Sequence, residues 1–166
     1  VEVETAMIGV AERGVMTLDL TAREAGGHAS TPPRLPATAR LARAIDRLHR
    51  HPAPMRLVPP VRAMFRTLAP FAREPFRFVF ANLAVTGALL ARALPRFGAE
   101  TNALVRTTAV VTELSGADGE NVLATTARAA VNIRLLTGDT VAAATERARR
   151  SIADPHIEIE VRHGSD

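Results

Sequence analysis

From Val15 to Arg23 the chain alternates. Met16, Leu18, Leu20 and Ala22 fall on one face, and Thr17, Asp19, Thr21 and Arg23 on the other. A period of two predicts a half-buried strand. Gly26-Gly27 ends it, since paired glycines permit a sharp backbone turn. Leu41, Ile45 and Leu48, with Ala42 beside them, recur at helical spacing and predict a helix over 36–50. Pro36 suits its first turn and Pro52 and Pro54 stop it. Residues 55–100 mix prolines with apolar runs and read as a helical insertion, with Phe76 to Leu94 as one helix. A strand is expected over 104–114, a turn over 115–120, and a second clear strand over 122–136. In that strand Ala127, Ala129, Val131, Ile133 and Leu135 face one way, and Thr126, Arg128, Asn132 and Arg134 the other. Asp139 is placed to cap a helix running from Val141 to about 152. Ile157, Ile159 and Val161 alternate in a last strand. The order β-α-insertion-β-β-α-β predicts an α+β fold. Two helices with one apolar stripe each would cover one face of a four-stranded antiparallel sheet, the ferredoxin-like arrangement.

Composition removes several classes. The 166 residues contain no cysteine, which excludes disulfides, thiolate metal sites and cysteine nucleophiles. The net charge is +4, and all basic residues are arginine. The pI near 11.2 follows from the lack of Lys, Tyr and Cys rather than from a strong positive field. The strands at 106–114 and 122–136 carry no aromatic on which a base could stack, so no nucleic acid is expected. The longest apolar stretch, Phe78 to Ala91, has the length of a core helix and is too short to span a bilayer. No membrane partner and a cytoplasmic location are therefore expected. The chain starts at Val1 rather than methionine and reads as part of a longer protein.

Two places hold candidate chemistry. His28 follows a strand and a glycine turn, where its ring could donate to a developing oxyanion; it could equally be a surface histidine beside a capping Ser30 or Thr31. Asn121 begins a strand, and Arg134 lies on the polar face of that strand, where a guanidinium could clamp a carboxylate or simply be solvated. The five histidines form no metal-ligand spacing, and neither a Gly-x-Ser-x-Gly nor a phosphate loop is present.

Taken together these residues resemble a known family. Gly27-His28-Ala29-Ser30 with Pro32 is similar to the Gly-His-(Ala/Ser)-Ser-x-Pro motif in the lid, or dimerisation, domain of M20 metallopeptidases. Asn121-Val122-Leu123 and Asn132-Ile133-Arg134 resemble that domain's second signature, and Ala11-Glu12-Arg13-Gly14 its entry from the catalytic domain. Phe80-Ala81-Asn82-Leu83 and Thr101-Asn102-Ala103-Leu104-Val105-Arg106-Thr107-Thr108 resemble the carboxypeptidase S and N-acyl-amino-acid hydrolase branch. Ala124 and Thr137 stand where the family usually has proline. The resemblance covers nearly the whole chain, 1–166. It implies a homodimer through the lid, and a separate catalytic domain outside this chain that holds two zinc ions and a glutamate base. It implies that His28 stabilises an oxyanion in the partner's active site, and that Asn121 and Arg134 hold the substrate, a small peptide or N-acyl amino acid. The chain alone would be inactive, and the apolar insertion would offer a pocket for an acyl or hydrophobic side chain. The competing expectation is a free-standing ferredoxin-like ligand-binding or regulatory module.

Overall fold

The computed structural model describes Gly9 and residues 12–165. Ala11, first residue of the expected entry motif, lies outside them. The chain divides into two compact units, one built mainly from residues 54–107 and the other from 14–53, 108–135 and 139 onward.

In the larger unit the elements in chain order are β1 (Val15–Arg23), β2 (Gly27–His28) and α1 (Ala37–Arg50). After the segment 54–107 come β3 (Thr108–Ser115), β4 (Val122–Leu123), β5 (Thr126–Arg134), α6 (Val141–Ile152) and β6 (Ile157–Ser165). A four-stranded antiparallel sheet forms in the order β3-β5-β1-β6. Met16, Leu18, Leu20 and Ala22 are buried, as are Ala127, Ala129, Val131, Ile133 and Leu135 on β5 and its exit. They share one core with Leu41 and Ala44 of α1 and Ala144, Ala148 and Ile152 of α6. Burying these apolar faces is the dominant favourable term in assembling the sheet and helices.

The segment 54–107 contributes α2 (Pro59–Leu68), α3 (Phe76–Ala81), α4 (Leu83–Ala93) and α5 (Ala99–Ala103). Its core joins Leu57, Val61, Phe65, Leu83, Leu90 and Val105. Phe65 and Phe80 stack with ring centroids 4.8 Å apart. Gly87 serves this packing, because a Cβ there would stand 3.3 Å from Leu57 Cδ1. The signature at 101–108 is structural. Thr101 donates to the Leu94 carbonyl at 2.7 Å, Val105 is fully buried, and Thr107 Oγ1 accepts the Leu136 N–H at 2.8 Å.

Four expectations change, each for a local reason. The helix expected over 76–94 is broken at Asn82, whose side-chain amide donates to the Phe78 carbonyl at 2.8 Å and competes with the helical ladder. The strand expected from 104 starts at Thr108, since 104–107 close the helical unit. The strand expected over 122–136 is two, because β4 pairs with β2 and β5 joins the main sheet. Thr140, not Asp139, caps α6: its Oγ1 accepts from Ala143 N–H at 3.2 Å, while Asp139 lies 3.9 Å from Arg147.

Candidate functional site

The first candidate is built on the small ladder of β2 and β4. After β1, the Glu24 N–H donates to the Thr125 carbonyl at 3.0 Å and extends the pairing past the sheet. Gly26 then turns with φ 72°, a left-handed conformation, and a Cβ there would meet Thr125 Cγ2 at 2.7 Å. Both facts require glycine. The turn sets Gly27 opposite Leu123 and His28 opposite Val122. The Ala29 N–H donates to the Asn121 carbonyl at 2.9 Å. His28 on β2 and Asn121, the residue before β4, 93 positions apart in sequence, are therefore brought together, both exposed.

Neither Ser30 nor Thr31 caps α1, whose first turn follows Pro36 without a side-chain cap. Ser30 instead serves His28. Its N–H donates to Nδ1 at 3.2 Å, and its hydroxyl lies 2.8 Å from the same nitrogen. A backbone N–H can only donate, so Nδ1 is the accepting nitrogen. The neutral ring then carries its proton on Nε2. His28 is thus held as an outward hydrogen-bond donor.

Arg134 is elsewhere. It ends β5, exposed, in register with Val15 and Thr108, whereas the β2–β4 ladder lies beyond Thr126. Eight residue steps separate Thr126 from Arg134, about 26 Å of strand. The structure brings His28 and Asn121 together and leaves Arg134 at the opposite end of the sheet.

Sequence reasoning does not find the charge network on the polar sheet face. There a cleft of about 420 Å³ is lined by residues including Asp19, Thr21, Arg23, Glu113, Arg128 and Arg162. Arg162 on β6 binds Asp19 at 2.8 Å and Glu113 at 3.0 Å, reaching over small Ala130. Its hydrogen bond and charge hold the Glu113 carboxyl below the ordinary carboxylate range. No local pattern marks this network, because Arg162 and Asp19 are 143 positions apart. Among the described residues no three His, Cys, Asp or Glu side chains come together to hold a metal ion.

Comparison with known proteins gives a consistent picture. A family model for a peptidase dimerisation domain matches residues 10–160. The chain is 35% identical over 162 residues to the N-fatty-acyl-amino acid synthase/hydrolase PM20D1 of Xenopus tropicalis, covering 97% of this chain and 31% of that protein. It is 30% identical to a probable carboxypeptidase S-like protein of Dictyostelium discoideum, covering 93% of this chain and 29% of the relative. The chain thus spans about a third of the relatives it matches. Two solved structures share the fold, at low identity. The dipeptidase Dug1p of Saccharomyces cerevisiae matches at 11% identity with a TM-score of 0.57, over 92% of this chain and 36% of that one. Human carnosine dipeptidase 1 matches at 14% identity with a TM-score of 0.55, over 92% and 37%.

Proposed function

Since this chain belongs to the peptidase dimerisation domain family of the M20 peptidases, we propose that it is the lid of a hydrolase that cleaves the amide bond of a small peptide or N-acyl amino acid, working as a homodimer. In this reading the sheet is ferredoxin-like with α1 and α6 on one face. The strand order and the single core shared by both helices support that arrangement. The described residues do not fit a metal site. In this reading the two zinc ions that the family implies are held by a catalytic domain outside this segment, where they would activate the attacking water. This chain contributes His28, whose Nε2–H donates to the oxyanion formed at the amide carbonyl, Asn121 beside it, and Arg134, whose guanidinium clamps the substrate carboxylate.

One observation carries the two-copy part of this reading: the separation of Arg134 from His28. In a dipeptide or N-acyl amino acid the scissile carbonyl and the terminal carboxylate lie within about 7 Å. A strand of about 26 Å keeps one copy from supplying both contacts. A two-fold axis removes the conflict. If β3 pairs antiparallel with β3 of a second copy, its Thr108 end meets the partner's Ser115 end. Arg134 is registered with Thr108, and the loop after Ser115 leads to Asn121 and the His28 ladder. Each site then takes Arg134 from one copy and His28 with Asn121 from the other.

A mixing experiment tests this. His28→Ala and Arg134→Ala enzymes, each impaired, are unfolded, combined and refolded. Half of the dimers are hybrid, and each hybrid has one intact site and one doubly altered site. About a quarter of wild-type turnover is expected to return. No gain over the separate variants would place all three residues in one copy and end this reading. Arg134→Ala alone is expected to raise KM chiefly for substrates with a free carboxylate.

The edge itself is testable. β3 pairs on one side only and exposes Val110 (60%) and Leu114 (69%). β6, at the other edge, presents mainly charged and polar side chains, Glu158, Glu160, Arg162 and His163, which disfavour edge pairing. Leu114→Arg is expected to convert a dimer into a monomer by light scattering, with unchanged circular dichroism. A dimer that survives the change would rule out the β3 edge.

Two residues of the Phe80-Ala81-Asn82-Leu83 motif serve the core of the insertion rather than an open acyl-binding surface. Leu83 is buried and Phe80 packs on Phe65, so polar changes there would unfold the unit.

A further inference from the structure

We propose that the outward face of residues 71–97 docks on the surface of an anionic phospholipid bilayer. Three observations single out this segment. First, α4 is apolar on both sides. Leu83, Gly87, Leu90 and Ala91 point into the core, while Val85 (85% exposed) and Leu89 (71%) stand outward, with exposed Ala84 and Ala88 beside them. At about 100° per residue Val85, Leu89 and Arg92 fall within one narrow arc, so the first charge on the outer stripe comes at its end. A helix in water normally turns a charged face outward; this one has a second apolar face.

Second, four of the six phenylalanines in the chain are exposed, namely Phe71, Phe76, Phe78 and Phe97, and all lie in this segment. Exposed aromatic and aliphatic groups gathered in one stretch of chain mark a surface that is covered in use.

Third, the charge is concentrated here. Residues 54–107 hold eight arginines against two glutamates, a net +6, in a chain whose total is +4. The remainder therefore carries −2. Arg73, Arg77, Arg92 and Arg96 flank the apolar run in sequence.

These observations select among occupants. A second copy of the same face would oppose positive charge to positive charge, since residues 71–97 hold four arginines against one glutamate, a net +3. An apolar ligand alone would not call for the arginines. An anionic bilayer supplies both an acyl layer for Val85, Leu89 and Phe78 and a negative headgroup plane for the guanidiniums. No helix among the described residues is long and apolar enough to cross a membrane. The segment lies on the surface rather than through it. The expectation of no membrane partner rests on spanning length and does not address this mode.

Sedimentation of the 166-residue chain with vesicles tests the proposal. Vesicles of phosphatidylcholine alone are compared with vesicles that also contain phosphatidylglycerol. The chain is expected to sediment with the second and not the first, and to be released as salt rises and screens the charges. Replacing Arg92 and Arg96 together by glutamine is expected to weaken binding about thirtyfold. Val85→Ser with Leu89→Ser is expected to release the chain with unchanged circular dichroism, as both side chains point away from the core. Failure to bind the anionic vesicles, equal binding to both kinds, or wild-type binding by either pair of variants would overturn the proposal.

Discussion

His28→Ala in the complete enzyme is expected to lower kcat about a hundredfold, with little change in stability. Loss of a single oxyanion donor costs on the order of a hundredfold to a thousandfold in kcat, because the interaction exists mainly in the transition state. The lower figure is the expectation where other groups share the developing charge. The ring is exposed, and its hydrogen bonds run to Ser30, two residues away, so its removal leaves the core untouched. KM is expected to stay nearly constant, since a ground-state carbonyl is a weaker acceptor than an oxyanion. Ser30→Ala offers the contrast. It removes the hydroxyl but keeps the N–H that fixes the accepting nitrogen, and a loss below about fivefold is expected. Steady-state kinetics on both variants, with thermal unfolding to confirm the fold, decides the matter. Unchanged turnover in His28→Ala would remove the residue from the chemistry.

Arg40→Ala is expected to destabilise the larger unit by about 2 kcal/mol near neutral pH. Arg40 on α1 binds Asp154 through Nη1 with both distances 3.1 Å, and Glu24 through Nη2 at 3.2 Å. Its side chain is 15% exposed and that of Asp154 14%. The contact joins α1 to the turn before β6. Removing the cation leaves two carboxylates near one another with little water. Some solvent access remains, so the loss falls below that of a fully buried pair. Burial by itself would raise the Asp154 carboxyl. The His156 N–H and the Arg40 charge more than offset it, and the group titrates below its ordinary range. A carboxylate so depressed contributes stability above its unfolded-state value and loses it as pH falls through the folded value. The difference between wild type and Arg40→Ala is therefore expected to be largest near neutral pH and to shrink on acidification, when Asp154 protonates and no longer needs the cation. Urea unfolding at a series of pH values reads this directly. A difference that is flat with pH would mean that Arg40 acts through packing alone.

What the sequence determined by itself is what repeats locally. The period of two in Val15–Arg23 and Thr126–Arg134 marked both central strands and the face each one buries. The apolar stripes of α1 and α6 marked those helices to within a residue. The motif Gly27-His28-Ala29-Ser30 pointed to the family, because a left-handed turn and a donor ring need particular residue types in fixed order. Tertiary structure decided what depends on partners distant in the chain. It separated Val122–Leu123 from β5 by pairing that short strand with Gly27–His28. It broke the apolar run at Asn82, where a side chain competes with the helix backbone. It set Arg162 between Asp19 and Glu113 across the sheet, and it placed His28 with Asn121 but Arg134 at the far end of β5. Periodicity reports which way a side chain faces. Which residues meet is settled by strand register and loop closure, whose free energy comes from the assembled core rather than from any one segment.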